Sequence, residues 1–164
     1  MAKYARFEEI LFKIEKLVIT LMMAIMFVTV FFQVFTRFFN LPIPDTSDIS
    51  ILAFTIMTFI GAGLLVYTKG HITLEVTSLI KSKKLVFIFD LCTHIAMLVI
   101  IGGLLNIGYS LLTFALESNE ATMAMRIPMS IPFSALVIGL ILMIIHTIGI
   151  ILKLISNQRA VPTE

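Results

Sequence analysis

Four stretches of this chain run for 20, 20, 26 and 26 residues without an Asp, Glu, Lys or Arg: Leu17–Thr36, Ile49–Thr68, Leu91–Leu116 and Ile127–Leu152. An apolar helix needs about 20 residues to cross about 30 Å of hydrocarbon, so each run is long enough to span. At 1.5 Å per residue the longer two reach about 39 Å and must tilt or protrude. An open strand would leave its backbone groups unsatisfied in lipid, so helix is the expected state. Composition agrees: 59% of residues are hydrophobic and 13% charged, and the mean hydropathy is +1.07. Water-soluble domains carry about a quarter charged residues. The expectation is an all-α integral membrane protein, one domain over residues 1–164, with transmembrane helices at about 17–36, 49–68, 85–116 and 127–152. The first run is too long for a cleavable signal, and Gln33-Val34-Phe35-Thr36-Arg37 offers no small-residue cleavage site.

The same features exclude several functions. A lone cysteine, Cys92, rules out an intrachain disulfide or a cysteine metal cluster. A net charge of +2 is too small for a nucleic-acid footprint. Too few polar residues lie outside the four runs to build a catalytic domain, so no enzyme is expected.

The basic residues set an orientation. Lys3, Arg6, Lys13 and Lys16 precede the first span; Lys69, Lys81, Lys83 and Lys84 lie between the second and third; Lys153 and Arg159 follow the fourth. The opposite side holds Arg37 and Arg126, beside Asp45, Asp48, Glu117 and Glu120. The positive-inside rule then places both termini and the 69–84 loop in the cytoplasm.

Two cytoplasmic segments have an amphipathic pattern. In 4–16, Tyr4, Phe7, Ile10, Leu11 and Ile14 recur at helical spacing up to Leu17, with Glu9 and Lys13 on the polar side. In 71–84, Ile72, Val76, Leu79 and Ile80 precede Lys81, Lys83 and Lys84, which fits a helix lying in the interface with its lysines at anionic lipid headgroups. For both, a simple extension of the adjoining span is the competing reading.

Ionisable groups within spans are costly and are the first place to look for function. The first two spans contain none, which argues against a self-sufficient ion-coupled carrier. Gly61-Ala62-Gly63 in the second span fits close helix packing. Asp90 near the mouth of the third span reads as a headgroup- or His94-associated carboxylate. His94 and His146 sit at neighbouring depths on the last two spans, the placement a bis-histidine haem would need, although a hydrogen bond to a neighbouring helix explains each more simply. His71 and Glu75 share a helix face, but two ligands do not define a metal site.

The ordered segments resemble a known family. The first span ends Gln33-Val34-Phe35-Thr36-Arg37-Phe38; the second continues through Phe59-Ile60-Gly61-Ala62-Gly63 to Lys69-Gly70-His71-Ile72-Thr73-Leu74-Glu75; Ala124-Met125-Arg126-Ile127-Pro128 and Ile131-Pro132 lead into the fourth. This is similar to the small (DctQ-type) membrane subunit of tripartite ATP-independent periplasmic (TRAP) transporters over nearly the whole chain. One departure stands before the second span. Where the family often has tryptophan and paired glutamates, Thr46-Ser47-Asp48 stands in.

The resemblance implies a three-part importer, in which a soluble periplasmic protein captures an organic acid and a large membrane subunit moves it with sodium. The small subunit would be a scaffold with no cofactor and no metal. Its expected partners are the large TRAP membrane subunit, the periplasmic substrate-binding protein and membrane lipids, with no nucleic acid. Arg37, Asp45, Asp48, Glu117, Glu120 and Arg126 are the candidate partner-facing residues, Lys81, Lys83 and Lys84 the headgroup contacts, and Gly61, Ala62 and Gly63 the packing positions. Sialic acid or a C4-dicarboxylate-like carboxylate is the implied cargo. Two other readings compete: a haem- or quinone-bearing membrane anchor of a respiratory enzyme, resting on His94 and His146, and a small multidrug efflux protein. The efflux reading is opposed by the absence of an acidic residue in the first span.

Overall fold

The computed structural model describes residues 2–43, 45–68 and 83–159. They form four helices: α1 (Ala2–Phe38), α2 (Ser47–Tyr67), α3 (Lys83–Ser118) and α4 (Ser130–Arg159). All four are long and apolar enough to cross a membrane. The segment 4–16 is continuous with the first span, as one helix of 37 residues. Most of the second amphipathic segment, including Lys81, His71 and Glu75, lies outside the described residues.

Many hydroxyls within the spans are satisfied by their own helix. Thr20 donates to the carbonyl of Lys16, Thr55 to Ile51, Thr58 to Phe54, Thr93 to Phe89 and Thr147 to Met143, at 2.7–2.9 Å. In lipid such back-bonding is how a threonine avoids an unmet polar group. α1 ends in a Schellman turn: the N–H of Leu41 donates to the carbonyl of Thr36 at 2.9 Å and that of Asn40 to Arg37 at 3.2 Å. Asn40 takes the left-handed conformation this turn requires, with φ 49°.

Among the described residues the helices stand in a single row, α1–α2–α4–α3. α4 packs between α2 and α3; α3 meets neither α1 nor α2, and α1 touches α4 at one end only. Small residues make the seams. A Cβ on Gly139 would fall 2.5 Å from the carbonyl oxygen of Phe59, so α2 and α4 cross nearly backbone to backbone. Along α3 the buried positions Ile101, Gly108 and Ala115 repeat every seven residues, and Gly108 fits against Leu136 and Leu140 of α4. A one-layer row leaves both broad faces bare: Phe27 on α1 and Val99 on α3 are each 71% exposed.

The N-terminal segment does not simply turn its apolar repeat inward. Phe7, Ile10, Ile14 and Leu17 are exposed beside Glu9 and Lys13, while Glu8 and Glu15 are buried. On a helix that borders lipid a carboxylate is best placed against another helix.

Candidate functional site

Two polar groupings stand out at opposite ends of the helices. The first joins the start of α1 to the end of α4. Glu8, Glu15 and His146 are 1%, 2% and 0% exposed. They share the inner face of their helices because residues 4, 8 and 15 on α1, and 146, 149 and 153 on α4, recur at helical spacing. Nε2 of His146 lies 2.9 Å from Oε1 of Glu15, and its Nδ1 lies 4.0 Å from Oε1 of Glu8. The ammonium of Lys153 donates to Oε2 of Glu8 at 2.5 Å, and the Tyr4 hydroxyl donates to the Ile145 carbonyl at 2.8 Å. Tyr67 of α2 closes the side, its ring centroid 5.2 Å from His146 and 4.8 Å from Phe12. The approach depends on Gly149, where a Cβ would collide with the Glu8 carboxylate. His146 was legible in the sequence as a polar residue in a span. Glu8 and Glu15 carry no such signal, because they precede the first apolar run and only the continuous helix brings them inward.

The second grouping lies at the other end, between α1, α2 and the α3–α4 connection. Asp45 accepts from the Ser47 N–H at 2.8 Å, from Arg37 at 3.2 Å, and from the Gln33 amide. The Ser47 backbone N–H, then its hydroxyl, and to a lesser degree the Arg37 charge hold the Asp45 carboxyl below its usual range. Gln33, Thr36, Arg37, Asn40, Leu41, Ile43 and Asp45 line a recess of about 440 Å³. Asp48 caps a different segment: its Oδ2 accepts from the Met125 N–H at 2.9 Å. That N–H belongs to a short hairpin in which Met129 donates to the Glu120 carbonyl and Thr122 to the Ile127 carbonyl, both at 2.9 Å. Arg126 holds the left-handed position at its tip, with φ 54°.

The sequence-derived candidates thus divide. Arg37 and Asp45 pair with each other, Asp48 ties α2 to the hairpin that carries Arg126, Glu117 is exposed at the end of α3 and Glu120 on the α3–α4 connection. Gly63 is buried against Leu142 of α4, Gly61 faces Ile19 of α1, and Ala62 is half-buried. Lys83 opens α3 and Lys84 is exposed there. His94 is occupied by the carbonyl of Asp90, 2.6 Å from its Nδ1. His146 is fully buried with Nε2 on Glu15 and Nδ1 turned toward Glu8, which does not fit a bis-histidine haem site; a buried acidic pair, invisible in the pattern of apolar runs, faces that imidazole.

One residue escaped the sequence reading altogether. Asn106 sits within α3, about 15 Å from Leu116 at helical rise, and its side chain is exposed on a face shared with Gly102 and Gly103. A Cβ on either glycine would meet nothing within 4 Å.

Residues 26–157 match the family described as tripartite ATP-independent periplasmic transporters, DctQ component. The chain belongs to the DctQ family. It is therefore a non-catalytic membrane component of a TRAP transporter, and the haem-anchor and efflux readings fall. No curated protein matches the chain in sequence. The match to the DctQ family begins after Glu8 and Glu15, so the buried carboxylates of the first grouping come from the part of α1 that precedes it.

Proposed function

We propose that this DctQ-family chain is the fixed scaffold of a sodium-coupled importer of an organic acid, sialic acid or a C4-dicarboxylate-like carboxylate, holding the large translocating subunit in the membrane. The observation that carries the reading is the single row of helices. A four-helix protein meant to stand alone would fold its small and polar residues into a bundle interior. Here α3 turns Gly102, Gly103 and Asn106 outward at membrane depth. Small residues let a second backbone approach closely, and an amide facing hydrocarbon gains hydrogen bonds only when a neighbouring helix supplies them. A large polytopic partner lying against the row meets both demands and gives a moving transport domain a flat frame to work against.

In this reading both termini face the cytoplasm, following the ten Lys and Arg residues on that side, and the Asp48-anchored hairpin with Glu117, Glu120 and Arg126 faces the periplasm. That end carries the surface on which the substrate-binding protein docks. Lys84, with Lys81 and Lys83, holds the intervening loop to anionic headgroups.

Co-purification of the tagged chain from native membranes in mild detergent tests the scaffold. A large, colourless polytopic partner in equal amount is the expected result; recovery of the chain alone, or with red redox subunits, refutes it. Docking has its own test. Charge reversal at Asp48 or Glu120 should weaken uptake and binding of the soluble protein, and unchanged values in both variants remove the docking role.

A further inference from the structure

We propose that the Glu8–Glu15–His146–Lys153 cluster is a binding site for a single proton, and that its occupancy fastens the first turns of α1 to α4. Counting charges motivates this. Two carboxylates and one ammonium leave an excess of one negative charge where Glu8, Glu15 and His146 are all but sealed from solvent. One added proton brings the cluster to neutrality, and an uncompensated buried charge is strongly unfavourable.

Hydrogen-bond geometry leads to the same count. Both imidazole nitrogens face carboxylate oxygens, Nε2 toward Glu15 at 2.9 Å and Nδ1 toward Glu8 at 4.0 Å. A ring with one N–H must turn a lone pair toward one of these acceptors; two donors, or one protonated carboxyl, satisfy both sides. Oε1 of Glu8, Oε2 of Glu15 and Nδ1 of His146 have no hydrogen-bond partner among the described residues. The 4.0 Å gap between Nδ1 and Oε1 of Glu8 fits a bridging water better than a direct bond. The proton belongs to the coupled set rather than to one residue. A metal ion is a poorer occupant, since among the described residues no three His, Cys, Asp or Glu side chains converge to hold one.

The groups that face the imidazole are few. α1 contributes Tyr4, Glu8 and Glu15, α2 contributes Tyr67, and α4 contributes Lys153, whose ammonium lies 5.6 Å from the centre of the Tyr67 ring. Burial, then the charge of Glu8, pushes the Tyr4 phenol above its usual range, so it keeps its proton at neutral pH. Lys153 is half-exposed, while Glu8, Glu15 and His146 behind it are sealed from solvent.

The consequence is mechanical. Among the described residues, α1 and α4 are joined at this end. The seated arrangement holds one more proton than the released one, so seating is favoured at lower pH and weakens as pH rises. Between the midpoint of the released groups and that of the seated cluster the opening constant grows by up to tenfold per pH unit, the slope of one proton, and it levels off above the latter.

The test is hydrogen–deuterium exchange of peptides covering residues 2–16 in the full-length chain, reconstituted in lipid nanodiscs. It is read from about pH 5 to about pH 8, which spans the charge change of an ordinary histidine, and corrected for intrinsic exchange. Wild-type protection should fall with rising pH. Glu15→Gln, neutral without the extra proton, should stay protected throughout, and His146→Gln, which leaves only carboxylates to take the proton, should lose protection at a lower pH than the wild type. A flat wild-type profile overturns the proposal, as does the wild-type profile persisting unchanged in either variant. Should Glu15→Gln fail to fold, the wild-type and His146→Gln profiles decide the matter.

Discussion

Replacing Gly139 with alanine tests whether the α2–α4 seam is as tight as the structure makes it. The new Cβ would stand 2.5 Å from the Phe59 carbonyl oxygen, 2.6 Å from its carbon and 2.8 Å from its Cβ. The obstacle is mostly backbone, so no rotamer change relieves it. Reaching ordinary contact requires the helices to separate by about 0.8 Å, and a gap of that size forfeits a quarter to a half of each dispersion contact it opens. The buried Ala53, Gly63, Val66 and Ala135 all lie on α2 or α4. Overpacking of this kind costs about 1–3 kcal/mol, and the immovable backbone puts the expected loss near the top of that range. Gly102→Ala is the control, since nothing lies within 4 Å of its Cβ position; it should be neutral or gain up to about 1 kcal/mol of helix propensity. Unfolding of the subunit in mild detergent by increasing SDS, followed by circular dichroism, measures both. If Gly139→Ala is no less stable than Gly102→Ala, α2 and α4 do not cross backbone to backbone and the row order loses its central seam.

Three further outcomes follow from the polar groups. Asp48→Ala removes the acceptor of the Met125 N–H, so trypsin should cut after Arg126 severalfold faster than in the wild type, while Asp48→Asn, which keeps an acceptor oxygen, should cut at nearly the wild-type rate. Asp45 is held below the usual carboxylate range chiefly by Ser47; its ionised form therefore contributes stability above the ordinary Asp value of about 3.9, lost as pH falls through the lower folded value. Arg37→Gln should leave most of that depression in a carbon-13 titration, and a return to the ordinary value would make Arg37 the main cause. Asn106→Leu should reduce recovery of the large partner by the worth of an interhelical hydrogen bond, about 0.6–2 kcal/mol, with no loss of stability in the isolated chain; equal recovery would show that α3 presents this amide to something else.

The sequence by itself determined that the chain is a four-span membrane protein, because length and hydropathy alone fix what hydrocarbon will accept. It also held the family resemblance, through residues in the 33–38, 59–75 and 124–132 segments. Tertiary structure decided the order of the helices. Apolar runs of similar composition pack equally well in many orders, and the choice of α4 as the centre of the row lies in where Gly63, Gly108, Gly139 and Gly149 meet their neighbours across helices. It also decided which face of α1 turns inward. A helical repeat of apolar and charged residues has the same period whether its outside is water or lipid, so the sequence pattern gave the two faces of 4–16 without their direction. Only the approach of α4, with His146 and Lys153 at the right height, makes Glu8 and Glu15 the inner side, and that meeting depends on residues more than a hundred and thirty positions apart.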